Sequence, residues 1–139
     1  MSAPSLTSIM AGIETRLQTI TGLRTNDVVP GQTVPPYAWV GVPDIPDYFT
    51  TFGRGHWEIR PTITVVVSSA HDRAGQLALA GYADHTGTSS IPAALEADDT
   101  LGGIVEYCHV RSFGPQAIEL GLVTYFGGVF VLEAGAQGT

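Results

Sequence analysis

Residues 57–68 constrain the fold more than any other stretch of this chain. Trp57, Ile59, Ile63, Val65 and Val67 alternate with Glu58, Arg60, Thr62, Thr64, Val66 and Ser68. A period of two belongs to a β-strand, in which successive side chains point to opposite faces. One face of the resulting sheet is strongly apolar and has to be packed over, while the other is wet or covered by a partner. Pro61 interrupts the run. It has no N–H to give to a ladder, which predicts a sheet edge or a bulge at that point.

A cover for such a face is encoded in residues 6–20. Leu6, Ile9, Met10, Ile13, Leu17 and Ile20 recur at spacings of three and four, which puts them on one side of an α-helix. Ser5 is placed to cap it, and Thr21-Gly22 to stop it. Glu14, Arg16 and Gln18 occupy the solvated side. Residues 72–84 predict a second helix with Leu77, Leu79, Ala80 and Ala83 buried, its small residues suited to close packing on a sheet. A third, short helix opens at Ser89 or Ser90, where the serine caps and Pro92 sits in the first turn without cost. Ile91, Leu95 and Leu101 are its apolar anchors. Asp98-Asp99-Thr100 ends it, because short polar side chains compete for local backbone bonds. Gly102-Gly103 then permits backbone angles that a Cβ disfavours, and a β-rich stretch begins at Ile104.

Further strands are predicted at residues 23–29, 37–42, 104–113 and 122–133, with Gly114-Pro115 and the residues up to Gly121 joining the last two. Residues 44–55 carry Pro46, Tyr48, Phe49, Phe52 and Gly53. They read as a long hairpin arm or an ordered loop. The order of elements predicts an α+β fold, a mainly antiparallel or mixed sheet with helices packed on one face. The 139 residues predict one domain. Residues 1–4 are expected to fray, and residues 134–139 to form a small-residue tail without a core anchor.

Charge narrows the functional classes. Six arginines, with no lysine, stand against 13 acids, for a net charge of −7. That balance argues against grip on nucleic acid, which needs basic residues to displace counterions. The single cysteine, Cys108, rules out an internal disulfide framework and suits a reducing cytoplasm. The chain does not open with a basic segment and apolar run of the signal-peptide kind. Residues 120–132 are too short and too rich in glycine to span a bilayer. The expectation is a soluble protein assembled in the cytoplasm.

No reactive constellation emerges from the motifs. His56, His71, His85 and His109 lack the paired spacing of metal ligands. Asp98-Asp99 lacks the spacing of a calcium loop and reads as a helix-terminating turn. Gly53-Arg54-Gly55 is not a phosphate-binding loop, and Cys108 lies mid-strand, where a lone cysteine is a small core residue. The reading therefore assigns no catalytic, cofactor-binding or metal-binding residue, and no cofactor. The aromatic set Tyr48, Phe49, Phe52 and Trp57 reads either as a protein contact surface or as cover for the chain's own sheet. Candidate assembly residues are Tyr48, Phe49, Phe52, Arg54, Trp57, Pro61, Asp98 and Asp99. The edge beside Pro61 and the glycine-rich strand at residues 121–131 are expected near subunit boundaries. The arm at residues 44–55 is expected to touch a neighbouring subunit or a partner protein.

The segment Ile-Pro-Ala-Ala-Leu-Glu-Ala-Asp-Asp-Thr-Leu-Gly-Gly-Ile-Val, residues 91–105, is similar to the "helix, Asp-x-Thr-Leu-Gly-Gly, strand" pattern of tail terminator proteins of long-tailed, siphovirus-type bacteriophages. The order of elements along most of the chain resembles that family too. The resemblance implies a non-enzymatic virion protein at the head–tail junction. It implies a homohexameric ring that caps the tail tube, terminates tail polymerisation and joins the head connector. Its partners would be further copies of itself, the major tail tube protein and the connector or neck protein. DNA would pass through the lumen without specific binding, and no membrane is involved. The alternatives are a head-completion or neck protein of the same joint, and a small cytosolic ligand-binding α+β domain.

Overall fold

The structure is a computed structural model, and it describes residues 5–20, 23–26, 37–47, 56–68, 73–120 and 123–137. Its elements are α1 (Leu6–Leu17), β1 (Arg24–Asn26), β2 (Tyr37–Asp47), β3 (His56–Ser68), α2 (Arg73–Ala83), α3 (Ile91–Glu96), β4 (Tyr107–Leu120) and β5 (Val123–Gln137). The strands form one five-stranded sheet in the order β1-β2-β3-β5-β4. β1 runs parallel to β2, and every other neighbouring pair is antiparallel. This is the α+β fold expected, with a mixed sheet. Among the described residues no helix is long and apolar enough to cross a membrane.

One face of the sheet carries the helices. Ile9, Ile13 and Leu17 of α1, Leu79 and Tyr82 of α2, and Ile91 and Leu95 of α3 join Val40, Ile59, Ile63, Val65, Phe130 and Leu132 in a single buried cluster. Full burial of each such side chain contributes about 1.5–3 kcal/mol. Ile59, Ile63, Val65 and Val67 of β3 thus face the helices, as the alternation requires. Val66 faces the other way and packs with Trp39 and Ile118. Ser5 caps α1, its hydroxyl accepting from the Ser8 N–H at 3.1 Å. The helix closes at Leu17, and Ile20 is still buried in the turn that follows.

Several expectations are corrected. Leu77 is 60% exposed, and Ala80 is exposed as well. The buried side of α2 runs instead through Gly75, Leu79 and Tyr82, the i, i+4, i+7 stripe that the helix period selects. Ala83 packs at its margin. Pro61 is buried in the central strand, not at an edge. The bulge half of that expectation holds: the β2–β3 register shifts between Gly41 and Asp44, opposite Pro61, so the missing N–H falls where the ladder is already interrupted. The glycine-rich strand β5 lies between β3 and β4 and exposes no free edge. Its glycines serve internal packing. A Cβ on Gly127 would lie 1.9 Å from the Val65 carbonyl oxygen, and one on Gly128 would lie 2.5 Å from the Phe113 ring.

The C-terminal segment is corrected too. β5 continues to Gln137, and Ala134 is fully buried between Ile59 and Cys108. Ala134 there is a core contact, and Gly135 is buried beside it. Gly114 and Pro115 do not end β4 either. They pair with Val129 and Gly128, and the strand runs to Leu120. An edge strand tolerates a proline because the missing N–H falls on its open side, and β4 is the outermost strand on its side.

Candidate assembly surface

The acidic corner after α3 is built by its own side chains. Ser90 caps α3, its Oγ accepting from the Ala93 N–H at 3.1 Å while its hydroxyl donates to the Asp84 carbonyl. Past Glu96 the chain turns, and Leu101, Gly102 and Gly103 take positive φ values of 53°, 74° and 92°. Glycine adopts that region freely, whereas Leu101 is there at a cost of about 1–2 kcal/mol. Its side chain offsets the cost by burial, being 4% exposed. It sits against α1 where Gly12 lacks a side chain; a Cβ on Gly12 would lie 3.2 Å from the Leu101 Cβ.

Asp98 holds this corner. Its Oδ1 accepts from the Thr100 hydroxyl at 2.8 Å and its Oδ2 from the Gly102 N–H at 3.0 Å. The Thr100 hydroxyl bond, with the two backbone bonds and the nearby Arg16 charge, holds the Asp98 carboxyl below its ordinary range. Arg16 itself donates from Nε to the Ala94 carbonyl at 3.0 Å, tying α1 to α3. Both carboxylate oxygens are therefore engaged within the turn, and Asp99 beside it is exposed. Asp98 and Asp99 do not converge on a third acidic or basic ligand; no group of three or more His, Cys, Asp or Glu side chains gathers among the described residues.

Other predicted residues are scattered. Tyr48, Phe49, Phe52 and Arg54 lie outside the described residues. Trp57 is in β3, in register with Ala136. Pro61 is buried and offers no surface. His109 is exposed on β4, 3.9 Å from Glu133, which also lies 3.7 Å from Arg111. Such exposed pairs contribute little. Cys108 is buried, and desolvation, with a smaller effect of Asp99, pushes its thiol up to about 12.

The surface that sequence reasoning missed is the outer side of the β4–β5 hairpin. β4 is 14 residues long and is the terminal strand of the sheet. From residue 112 to 118 it carries no charge, between Arg111 and Glu119. Ser112, Gly114, Pro115, Gln116 and Ala117 are all exposed. Between this strand and α2 opens a cleft of about 640 Å³ lined by Gln76, Pro115, Gln116, Ala117, Thr124, Tyr125 and Phe126. Leu77, next to Gln76 on α2, is the one large hydrophobic residue exposed among those described. Long, uncharged strand edges are templates for pairing. The absence of charge over residues 112–118 was the available signal; Gly114-Pro115 masked it by reading as a loop.

No protein-family model matches the chain, and no curated protein matches it significantly.

Proposed function

We propose that this chain is a structural protein of a phage-type virion, forming a ring that caps a tail tube, stops its polymerisation and joins it to the head connector. The observation that carries the reading is the use to which residues 91–105 are put. The segment that resembles the terminator pattern is a capped helix and a self-satisfied corner whose polar groups bond to one another. Its Asp and Thr act as architecture, and its Leu anchors the corner to α1. A motif of this kind specifies a shape and requires no reaction.

The exposed outer edge of β4 and its adjoining cleft supply a surface suited to protein contact. Charge supports the same reading. Six copies at −7 carry −42 in all, and a lumen of that sign lets a polyanion slide without adhering. The virion head–tail junction is the location this reading assigns, with the tube protein and the connector as partners and no cofactor.

The test is negative-stain microscopy of the purified chain mixed with tail tubes. Rings seated on tube ends, with tubes held at fixed length, are the expected result. Deleting residues 49–53 is expected to abolish capping while leaving a folded monomer. Tubes that lengthen unchanged in the presence of the full chain would overturn the proposal.

A further inference from the structure

We infer that Leu77 of α2 seats, head to tail, in the groove between α1 and the corner at residues 98–104 of a second copy of this chain. The inference rests on the ring reading for its biological setting, but both surfaces are argued from the fold.

Leu77 is turned out of its own subunit. It stands two residues from both Gly75 and Leu79, and at about 100° per residue that places it on the side of α2 opposite the buried stripe. It is 60% exposed. Ala78 and Ala80 beside it are exposed as well, and a Cβ on Gly81 would meet nothing within 4 Å. One long apolar side chain thus rises from a ridge of small ones, and residues 74–83 carry no charge. Burying such a knob is favourable wherever a hole of matching shape is offered.

The hole lies elsewhere on the same molecule. A groove of about 400 Å³ is lined by Ser8, Gly12, Thr15 and Arg16 of α1 and by Leu101 and Ile104 of the corner. Ser8, Gly12 and Thr15 recur at spacings of four and three, so one side of α1 presents only small residues there. Leu101 and Ile104 supply the apolar floor. Small residues on both elements allow helix axes to approach to about 8 Å, the close end of helix packing, and the groove then holds a leucine between them.

Charge selects a second copy as the occupant. Asp98 lines the groove and Asp99 follows it, and a chain of net charge −7 presents surfaces that such acids mostly repel. The uncharged ridge around Leu77 is exempt. Asp84 is exposed and lies seven residues past Leu77 on the same side of α2, about 10 Å at roughly 1.5 Å per residue. Arg16, the one cation lining the groove, lies one turn past Gly12, within side-chain reach of that acid. Among the described residues neither Arg16 nor Asp84 makes an ion pair in its own subunit. Knob and hole are different patches of one surface, so the contact is heterologous. Repeating it closes copies into a ring when the rotation allows.

Cysteine cross-linking tests this with Leu77 left in place. In a Cys108→Ala background, Ala80→Cys with Thr15→Cys is expected to give a ladder of covalent oligomers under mild oxidation, in solution or on tube ends. Ala80→Cys with Ser112→Cys, an exposed site on β4, controls for chance collision and should give roughly tenfold less product. Adding Leu77→Ser, a change at an exposed position, is expected to bring the ladder down to that control. Asp84→Arg is expected to lower the yield severalfold, and Arg16→Glu to restore it. A ladder that stops at dimers would show a reciprocal contact and overturn the head-to-tail inference. If the full chain caps tubes but the paired cysteines give no more product than the control, the contact is wrong and the ring reading stands. If the ladder forms while tubes lengthen unchanged, the contact stands and the ring reading falls. If the chain neither cross-links nor caps, both fall.

Discussion

Leu101 offers the sharpest test of the corner that follows α3, because two opposing effects meet in one residue. The side chain is 4% exposed and packs on α1, so truncation to alanine should cost about 3 kcal/mol, within the 2–5 kcal/mol typical of buried leucines. Its backbone sits at φ 53°, where a Cβ is disfavoured by about 1–2 kcal/mol. Glycine removes one more carbon than alanine does, at a cost of about 0.8 kcal/mol of burial. It also removes the backbone strain, and the two changes roughly cancel. Leu101→Gly is therefore expected to be no less stable than Leu101→Ala, against the usual rule that glycine is worse. For a chain of this size about 3 kcal/mol lowers Tm by roughly 6–12 °C, readily seen by calorimetry or urea titration. A second measurement isolates the contact. A Cβ at position 12 would press on the Leu101 Cβ at 3.2 Å and on the end of the Ile104 side chain at 3.3 Å, and of the two only the flexible Ile104 end can move aside. Gly12→Ala should thus gain little in the parent chain but about 1 kcal/mol of helix propensity in the Leu101→Gly background. A glycine variant at least 1 kcal/mol less stable than the alanine variant, with no coupling to position 12, would refute the argument.

Two further outcomes follow from protonation. Hydrogen bonding lowers the Asp98 pKa from 3.8, so the unfolded chain takes up its proton first as pH falls; the carboxylate's stabilisation is full above about 3.8 and is lost below it. Asp98→Asn is expected to flatten that acid limb of the stability profile, and an unchanged limb would show that Asp98 does not hold the turn. Burial raises Cys108 to about 12 from 9.0, so the unfolded chain loses its proton first, and stability should fall between about 9 and about 12. The native thiol should resist aromatic disulfide reagents at pH 8 and react on unfolding; rapid labelling of the folded protein would show that it is not buried.

Local periodicity settled a good deal of this protein. The alternation through β3, the three- and four-residue spacing of α1 and the serine caps at Ser5 and Ser90 are all short-range patterns. The physics behind them acts over one or two turns, so they could be read directly. The Asp98–Gly103 corner was legible for the same reason: its bonds span no more than four residues.

What only the tertiary structure decided is which strand stands beside which. Pro61 looks like an edge signal until β2 and β5 are seen on either side of it, the register slip of β2 absorbing the missing donor. Gly114-Pro115 looks like a loop until β4 is found outermost, where a proline breaks no second ladder. Ala134 looks like a tail residue until Ile59 and Cys108 close on it. Leu77 looks buried until the stripe of α2 is fixed by the sheet beneath it. In each case the residue's meaning depends on neighbours distant in sequence, and no local pattern carries that information. The exposed edge of β4 and its cleft belong to the same class, since an edge is a property of the assembled sheet.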